Sequence, residues 1–152
     1  MATVDDRLAE LGIVLPPAFP PVANYLSCSR SGDLLFVGGH GPIDGENTII
    51  GKVGTDLTLE QGRFAARMTA LSLLATMRAE LGSLDRVQQV IKVFGMVNVG
   101  ADFDQMPAVI DGCSDLLVEV LGEKGRHARS AVGLAALPFG IAVEIELIAR
   151  VD

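Results

Sequence analysis

Apolar and polar residues recur along this chain with two periods, and each period predicts one kind of secondary structure. Segment 143–147 (VEIEL) alternates strictly between aliphatic residues and glutamate, which is typical of a strand covered on one face. Segment 87–99 (VQQVIKVFGMVNV) is rich in β-branched residues and partly alternates, so it predicts a long strand. Segments 128–135 and 141–151 predict the two strands that close the chain.

Apolar residues three and four positions apart predict two long helices between these strands. The first helix begins at Thr58, which forms a capping box with Gln61, and it ends at Gly82. The second helix has Pro107 at its first position and Gly122 just past its end. The predicted buried stripe of the first helix is Phe64, Met68, Leu71, Leu74, Ala75 and Leu81; that of the second is Val109, Cys113, Leu116, Leu117, Val120 and Leu121.

The first third of the chain predicts a helix, an arm and a hairpin. A short amphipathic helix is expected over 4–11, and the Pro-rich stretch 15–22 (LPPAFPPV) is expected to be an extended surface arm. Two apolar runs, 24–30 and 34–39, flank Ser31-Gly32-Asp33 and predict a β-hairpin. The segment 38–51 is rich in turn residues.

The predicted order is β-β-α-β-α-β-β, which indicates a two-layer α+β domain with two helices packed on one mixed sheet. A single domain is expected over 1–152, with the helix and arm in 1–23 and the core in 24–151. One pair of helices covers only one face of a sheet, and 49% of the residues are hydrophobic. We therefore expect copies of the chain to associate and cover the other face.

Charge and composition exclude several classes of function. The 12 basic residues form no run and face 19 acidic residues, so the net charge of -7 argues against a nucleic-acid partner. No apolar run is long enough to cross a membrane. The N-terminus has no secretory pattern, and the two cysteines have no metal or redox spacing. These observations predict a cytoplasmic protein with free thiols and no metal site.

A set of motifs in the last quarter of the chain is more specific. It comprises Arg129-Ser130-Ala131-Val132, then Leu137-Pro138, then Val143-Glu144-Ile145-Glu146. The stretch 35–42 (LFVGGHGP) and Tyr25 before the hairpin add two further matches. Together they resemble the RidA/YjgF family from residue 24 to 151, and the opening segment 11–16 resembles its longer, endoribonuclease-like (L-PSP) branch.

The resemblance implies a chorismate-mutase-like fold and a homotrimer with a cleft between neighbouring subunits. It also implies hydrolysis, without a cofactor, of enamine and imine intermediates such as 2-aminoacrylate to 2-keto acids and ammonia. The ligand in the cleft would be a small 2-imino or 2-keto carboxylate.

Family positions carry over to individual residues of this chain. Arg129 would clamp the substrate carboxylate, because a guanidinium offers a planar fork of donors, and Glu144 would handle water and the proton. The substrate-binding set implied by the resemblance is Tyr25, Gly38, Gly39, His40, Ser130 and Ala131.

Three of these positions depart from the family pattern. Gly38 replaces the usual serine, His40 replaces the usual glutamine, and Ala131 stands where many deaminating members have cysteine. Alanine preserves the backbone carbonyl to which the family role is assigned, but it changes the shape and polarity of the pocket.

Alternatives remain open at this stage. Arg129 could simply pair with an acid at the start of a strand, and Glu144 could face solvent. The same cleft could bind small carboxylates without turning them over, as a regulatory module. Endoribonuclease activity is a third possibility, and the acidic balance of the chain counts against it.

Overall fold

The computed structural model describes all residues, 1–152, and is built around one five-stranded sheet. The strands run in the order β1-β2-β7-β5-β6 across the sheet. Only β5 and β6 are parallel to each other; the other neighbours are antiparallel, so the sheet is mixed as predicted. The strands are β1 (Cys28–Ser31), β2 (Leu34–His40), β5 (Val87–Asn98), β6 (Ala128–Leu134) and β7 (Val143–Val151).

Two short strands and three helices complete the fold. The turn-rich segment folds into a small hairpin of β3 (Ile43–Asp44) and β4 (Asn47–Thr48). The helices are α1 (Val4–Glu10), α2 (Leu59–Leu81) and α3 (Met106–Leu121), so the predicted order of elements is confirmed. The capping box at Thr58 and the left-handed Gly82 bound α2 as predicted.

The long helices cover one face of the sheet and leave the other face open. Side chains of β5 and β7 that point toward the helices, such as Val93, Val97 and Ile145, are fully buried. On the other face, Phe36 remains 43% exposed. A single chain therefore has an apolar core on one side of its sheet and a partly exposed apolar surface on the other.

The buried stripe of α3 is confirmed, whereas the predicted stripe of α2 is partly wrong. Phe64 is 61% exposed, and Leu71 is only half-buried. The residues that α2 buries completely include Ala66, Leu73 and Met77. The reason is that α2 packs on both the sheet and α3, so large and small residues on two sides of the helix are covered.

The Pro-rich arm lies along its own chain. Leu15 is 7% exposed and belongs to the apolar core, which anchors the start of the arm. The Ser27 hydroxyl donates a hydrogen bond of 3.3 Å to the carbonyl of Phe19 and holds its far end. The segment 19–22 therefore runs past the end of β2, where the candidate site lies.

Candidate active site

The site begins at an irregularity in β2. The register with β7 shifts between Val37 and His40, so that Gly38 and Gly39 together stand opposite the single residue Glu146. Two residues opposite one form a β-bulge, which bends the strand and redirects its side chains. The bulge lies beside the start of β7, where Ile145 pairs with His40.

Gly39 makes room for the side chain of Glu144. A Cβ atom at position 39 would lie 2.9 Å from the carboxyl carbon of Glu144 and 3.2 Å from its Oε2 atom. A distance of 2.9 Å between two non-bonded carbon atoms is shorter than van der Waals contact allows. Glycine at this position therefore allows the carboxyl group to lie against the bulge.

The Glu144 carboxyl group has an unusual electrostatic environment. None of the ion pairs of the chain includes it. Burial raises the pKa of Glu144, and the negative charge of Glu146 raises it further. A carboxyl group that keeps its proton to higher pH than usual is suited to act as a general acid.

His40 is buried and anchors the bulge to α2. Its Nδ1 atom lies 2.7 Å from the carbonyl oxygen of Gly38, and its Nε2 atom lies 2.7 Å from the hydroxyl of Thr76. A carbonyl only accepts, so Nδ1 carries the hydrogen and Nε2 of the neutral ring accepts from Thr76. Burial lowers the pKa of His40, which favours this neutral form. Both ring nitrogens are therefore committed to protein partners.

A cavity of about 490 Å³ opens beside Glu144. The arm segment 19–22 forms one wall, and Pro138 and Phe139 form part of another. Phe139 has a left-handed backbone (φ 58°) and is 86% exposed. The structure thus brings together, along this cavity, five of the residues singled out from the sequence: Tyr25, Gly38, Gly39, His40 and Glu144.

The other three predicted residues lie elsewhere in the chain. Arg129, Ser130 and Ala131 belong to β6, at the opposite edge of the sheet from β1. Arg129 reaches toward α3, whereas Ser130 is on the other face, where its hydroxyl lies 3.4 Å from Nζ of Lys92. Ala131 is half-buried and packs against the core. None of the three lines the cavity beside Glu144.

Arg129 is held by three acceptors of α3. Its Nη1 atom donates to Oδ1 of Asp111 at 2.8 Å and to Oγ of Ser114 at 3.2 Å, and its Nη2 atom lies 3.4 Å from the carbonyl of Pro107. Its side chain is 22% exposed. A guanidinium has five N–H donors. The Nε–H and one Nη2–H of Arg129 are therefore left without a protein acceptor.

Sequence reasoning missed Asp111 and Ser114. Their spacing on α3 is one helical turn, so both face the same side, but each looks like an ordinary polar residue in a helix. Their connection to Arg129 depends on how α3 packs against β6. Because β5 and β6 are parallel neighbours, the chain crosses from one to the other through α3. This crossover brings Asp111 and Ser114 of α3 next to Arg129 of β6.

Comparison with known proteins decides the family. Residues 5–151 match the family described as "YjgF/chorismate_mutase-like, putative endoribonuclease". The chain belongs to the YjgF family. This confirms the resemblance inferred from the motifs, and the two-layer α+β architecture agrees with it.

Three relatives of this YjgF-family protein align along nearly its whole length. Protein TCP17 of Trypanosoma cruzi is 44% identical over 148 residues, which are 96% of this chain and 92% of TCP17. The structure of protein Atu1372 of Agrobacterium tumefaciens, described as having unknown function, is 42% identical with a TM-score of 0.91, covering 98% of this chain and 92% of that one. A structure from Shewanella oneidensis, described as that of "a putative endoribonuclease", is 31% identical with a TM-score of 0.95. The match covers 99% of this chain and 100% of that one.

Two features are absent from this YjgF-family chain. No three or more His, Cys, Asp or Glu side chains are grouped so that they could hold a metal ion. None of the helices combines the length and the apolar character needed to cross a membrane.

Proposed function

We propose that this YjgF-family protein hydrolyses 2-imino acids to 2-keto acids and ammonia, with Glu144 as the proton-transfer group. The observation that carries the proposal is the position of the Glu144 carboxyl group. It lies unpaired beside a cavity, behind a glycine bulge that makes room for it, and its pKa is raised. Imine hydrolysis needs a proton on nitrogen, and such a carboxyl group can supply it.

The chemistry balances without a cofactor. Water adds to C2 of the imine while the Glu144 carboxyl protonates the nitrogen. The added water releases one proton to solvent, which gives a neutral carbinolamine and the Glu144 carboxylate. The carboxylate then takes the proton of the new hydroxyl group while a further proton reaches the amine from solvent. The C–N bond breaks, ammonia leaves, and the carbonyl of the keto acid forms. An enamine such as 2-aminoacrylate enters this sequence after tautomerising to its imine.

Arg129 supplies the recognition of the substrate carboxylate in this proposal. Its Nε–H and one Nη2–H have no protein acceptor, and donors on two nitrogens of a guanidinium suit bidentate binding of a carboxylate. The pairing of Arg129 with Asp111 occupies Nη1 and leaves this function possible.

Two copies of the chain would have to contribute to one site. Glu144 is on β7, and β5 separates β7 from β6, so Arg129 is two strand spacings away, roughly 10 Å. Arg129 also faces the helices, whereas Glu144 pairs in register with Met96 at the bulge end of the sheet. A small substrate cannot span that separation. We therefore propose a homotrimer in which Arg129 of one subunit reaches the Glu144 cavity of a neighbour.

The first experiment measures release of keto acid. A serine dehydratase generates 2-aminoacrylate, semicarbazide competes for it, and pyruvate is followed with and without the protein. We expect faster release, lost in Arg129→Ala and in Glu144→Gln. The matched control is Arg126→Ala, because Arg126 is an exposed arginine three residues from Arg129 and pairs with Glu123. If pyruvate stabilises the protein against heat but release is not accelerated, the site binds carboxylates without catalysis.

A second experiment tests whether subunits share the site. Arg129→Ala and Glu144→Gln chains, each inactive alone, are unfolded together and refolded as a mixture. If one subunit supplies Arg129 and its neighbour supplies Glu144, about a quarter of the sites in a random equal mixture are intact. If both residues act within one chain, no activity returns. Molar mass from light scattering gives the number of subunits.

A further inference from the structure

A hydrogen-bonded cluster lies outside the cavity, where α3 packs against the start of β6. Asp111 and Ser114 both accept hydrogen bonds from Nη1 of Arg129, at 2.8 and 3.2 Å. The Ser114 hydroxyl also lies 2.9 Å from Nε2 of His127, two residues before Arg129. Of its members, only Arg129 belongs to the motifs of the sequence analysis.

The directions of these hydrogen bonds follow from one carbonyl group. Nδ1 of His127 lies 2.6 Å from the carbonyl oxygen of Gly125, which can only accept, so Nδ1 carries a hydrogen. Burial lowers the pKa of His127, and the charge of Arg129 lowers it further against the opposing effect of the hydrogen bond to Gly125. This favours the neutral ring, in which Nε2 accepts. The Ser114 hydroxyl therefore donates to His127, which turns its lone pairs toward Arg129.

We propose that Asp111 and Ser114 are positioning residues, which fix the Arg129 guanidinium so that its Nε–H and one Nη2–H are available to a ligand carboxylate. The part concerning the ligand rests on the proposed function. The fixed geometry of Arg129 is a separate claim, and it can be tested without any ligand.

The physical reason for such an arrangement is the flexibility of arginine. A long side chain that is partly exposed loses conformational entropy when it binds a ligand. The two hydrogen bonds from Nη1 restrict the rotamers of Arg129 before the ligand arrives. Preorganisation of this kind strengthens binding without adding a contact to the ligand.

A competing interpretation predicts the opposite change in ligand affinity when Asp111 is removed. Asp111 carries the same chemical group as the ligand, so it could hold Arg129 away from the ligand. Removal of Asp111 would then tighten binding. A purely structural role predicts a third result, in which the melting temperature falls while ligand affinity stays the same.

The experiment compares four variants by KM, kcat and the inhibition constant of pyruvate. Asp111→Ala and Ser114→Ala remove the two acceptors, and Asp111→Asn keeps an oxygen acceptor at position 111. The control is Asp115→Ala, which removes another carboxylate of α3 from an ion pair of 2.7 Å with Arg63. We expect Asp111→Ala to raise KM and the inhibition constant about tenfold, since a hydrogen bond to a charged group contributes that much. The value of kcat should change by less than about threefold.

Rescue and the control decide the outcome. Asp111→Asn should recover most of the affinity, Ser114→Ala should show a smaller loss in the same direction, and Asp115→Ala should bind as the unchanged protein does. Tighter binding in Asp111→Ala, or a lower melting temperature with unchanged affinity, would overturn the proposal.

A spectroscopic readout separates this inference from the proposed function. The Nε–H resonance of Arg129, assigned by its loss in Arg129→Lys, reports the mobility of the guanidinium without a ligand. We expect this signal to broaden or shift toward that of a free arginine in Asp111→Ala and not in Asp115→Ala. If the protein neither hydrolyses imines nor binds pyruvate, this result still stands; if the resonance is the same in Asp111→Ala, the positioning role is wrong.

Discussion

The carboxyl group of Glu144 occupies the space that a side chain at position 39 would need. A Cβ added to Gly39 would lie 2.9 Å from the carboxyl carbon of Glu144. The bulge in β2 and the proposed proton-transfer group in β7 are therefore a single packing unit. A side chain at position 39 would displace the carboxyl group on β7.

Gly39→Ala should lower the activity while the protein still folds. The backbone of Gly39 is not in the left-handed region, so alanine can adopt it, and the main effect is displacement of Glu144. We expect kcat/KM for imine hydrolysis to fall by about tenfold to a hundredfold, as misplacement of a catalytic group by about 1 Å does. At position 38 a Cβ would meet nothing closer than the Ser27 carbonyl at 3.4 Å. Gly38→Ala should therefore lose clearly less activity, and equal losses would contradict the argument.

Glu144→Gln should make the protein more stable at neutral pH while it removes activity. Because the pKa of Glu144 is raised in the fold, its contribution to stability is complete below the ordinary pKa of glutamate and is lost as pH rises through the raised pKa. Glutamine cannot ionise and avoids this loss. Melting temperatures of the two proteins should therefore be similar near pH 4 and should favour Glu144→Gln at pH 7. The reverse order at pH 7 would contradict the raised pKa.

Glu146→Gln should move the pH profile of the reaction. If Glu144 acts as an acid, kcat/KM falls as pH rises through its pKa. The negative charge of Glu146 is the second cause that raises this pKa, so its removal lowers the pKa. The alkaline fall in kcat/KM should shift to lower pH in Glu146→Gln. An unchanged profile would show that another group controls the reaction.

Much of the fold could be predicted from the sequence because its signals are local. The capping box at Thr58, Gly82 after α2 and the alternation in β7 each determine one element through neighbouring residues. Burial in α2 was harder to predict. Phe64 is apolar and correctly spaced, yet it points outward, because α2 buries other sides of the helix, including Leu73 and Met77, against α3 and the sheet.

The candidate site could be predicted only where the motifs coincide with its geometry. Gly38, Gly39 and Glu144 come together because β2 and β7 are neighbours, although they are about 105 residues apart. The bulge itself depends on the register of that pair, which no local pattern encodes. Likewise, the pairing of Arg129 with Asp111 depends on the packing of α3 and could not be read from either segment alone.

The arm should determine which imino acids are accepted, because Phe19 forms part of the cavity wall and is only 47% exposed. Phe19→Ala removes apolar surface that a bulky substrate side chain would contact. We expect KM for the imine of phenylalanine, generated by an amino-acid oxidase, to rise by about three- to tenfold, since each buried methylene contributes about 0.8 kcal/mol. KM for the small imine of alanine should change little. Val14→Ala is the control, because Val14 directly precedes the arm, is 89% exposed and lies outside the cavity. Equal effects on both imines would mean that the arm does not contact the substrate side chain.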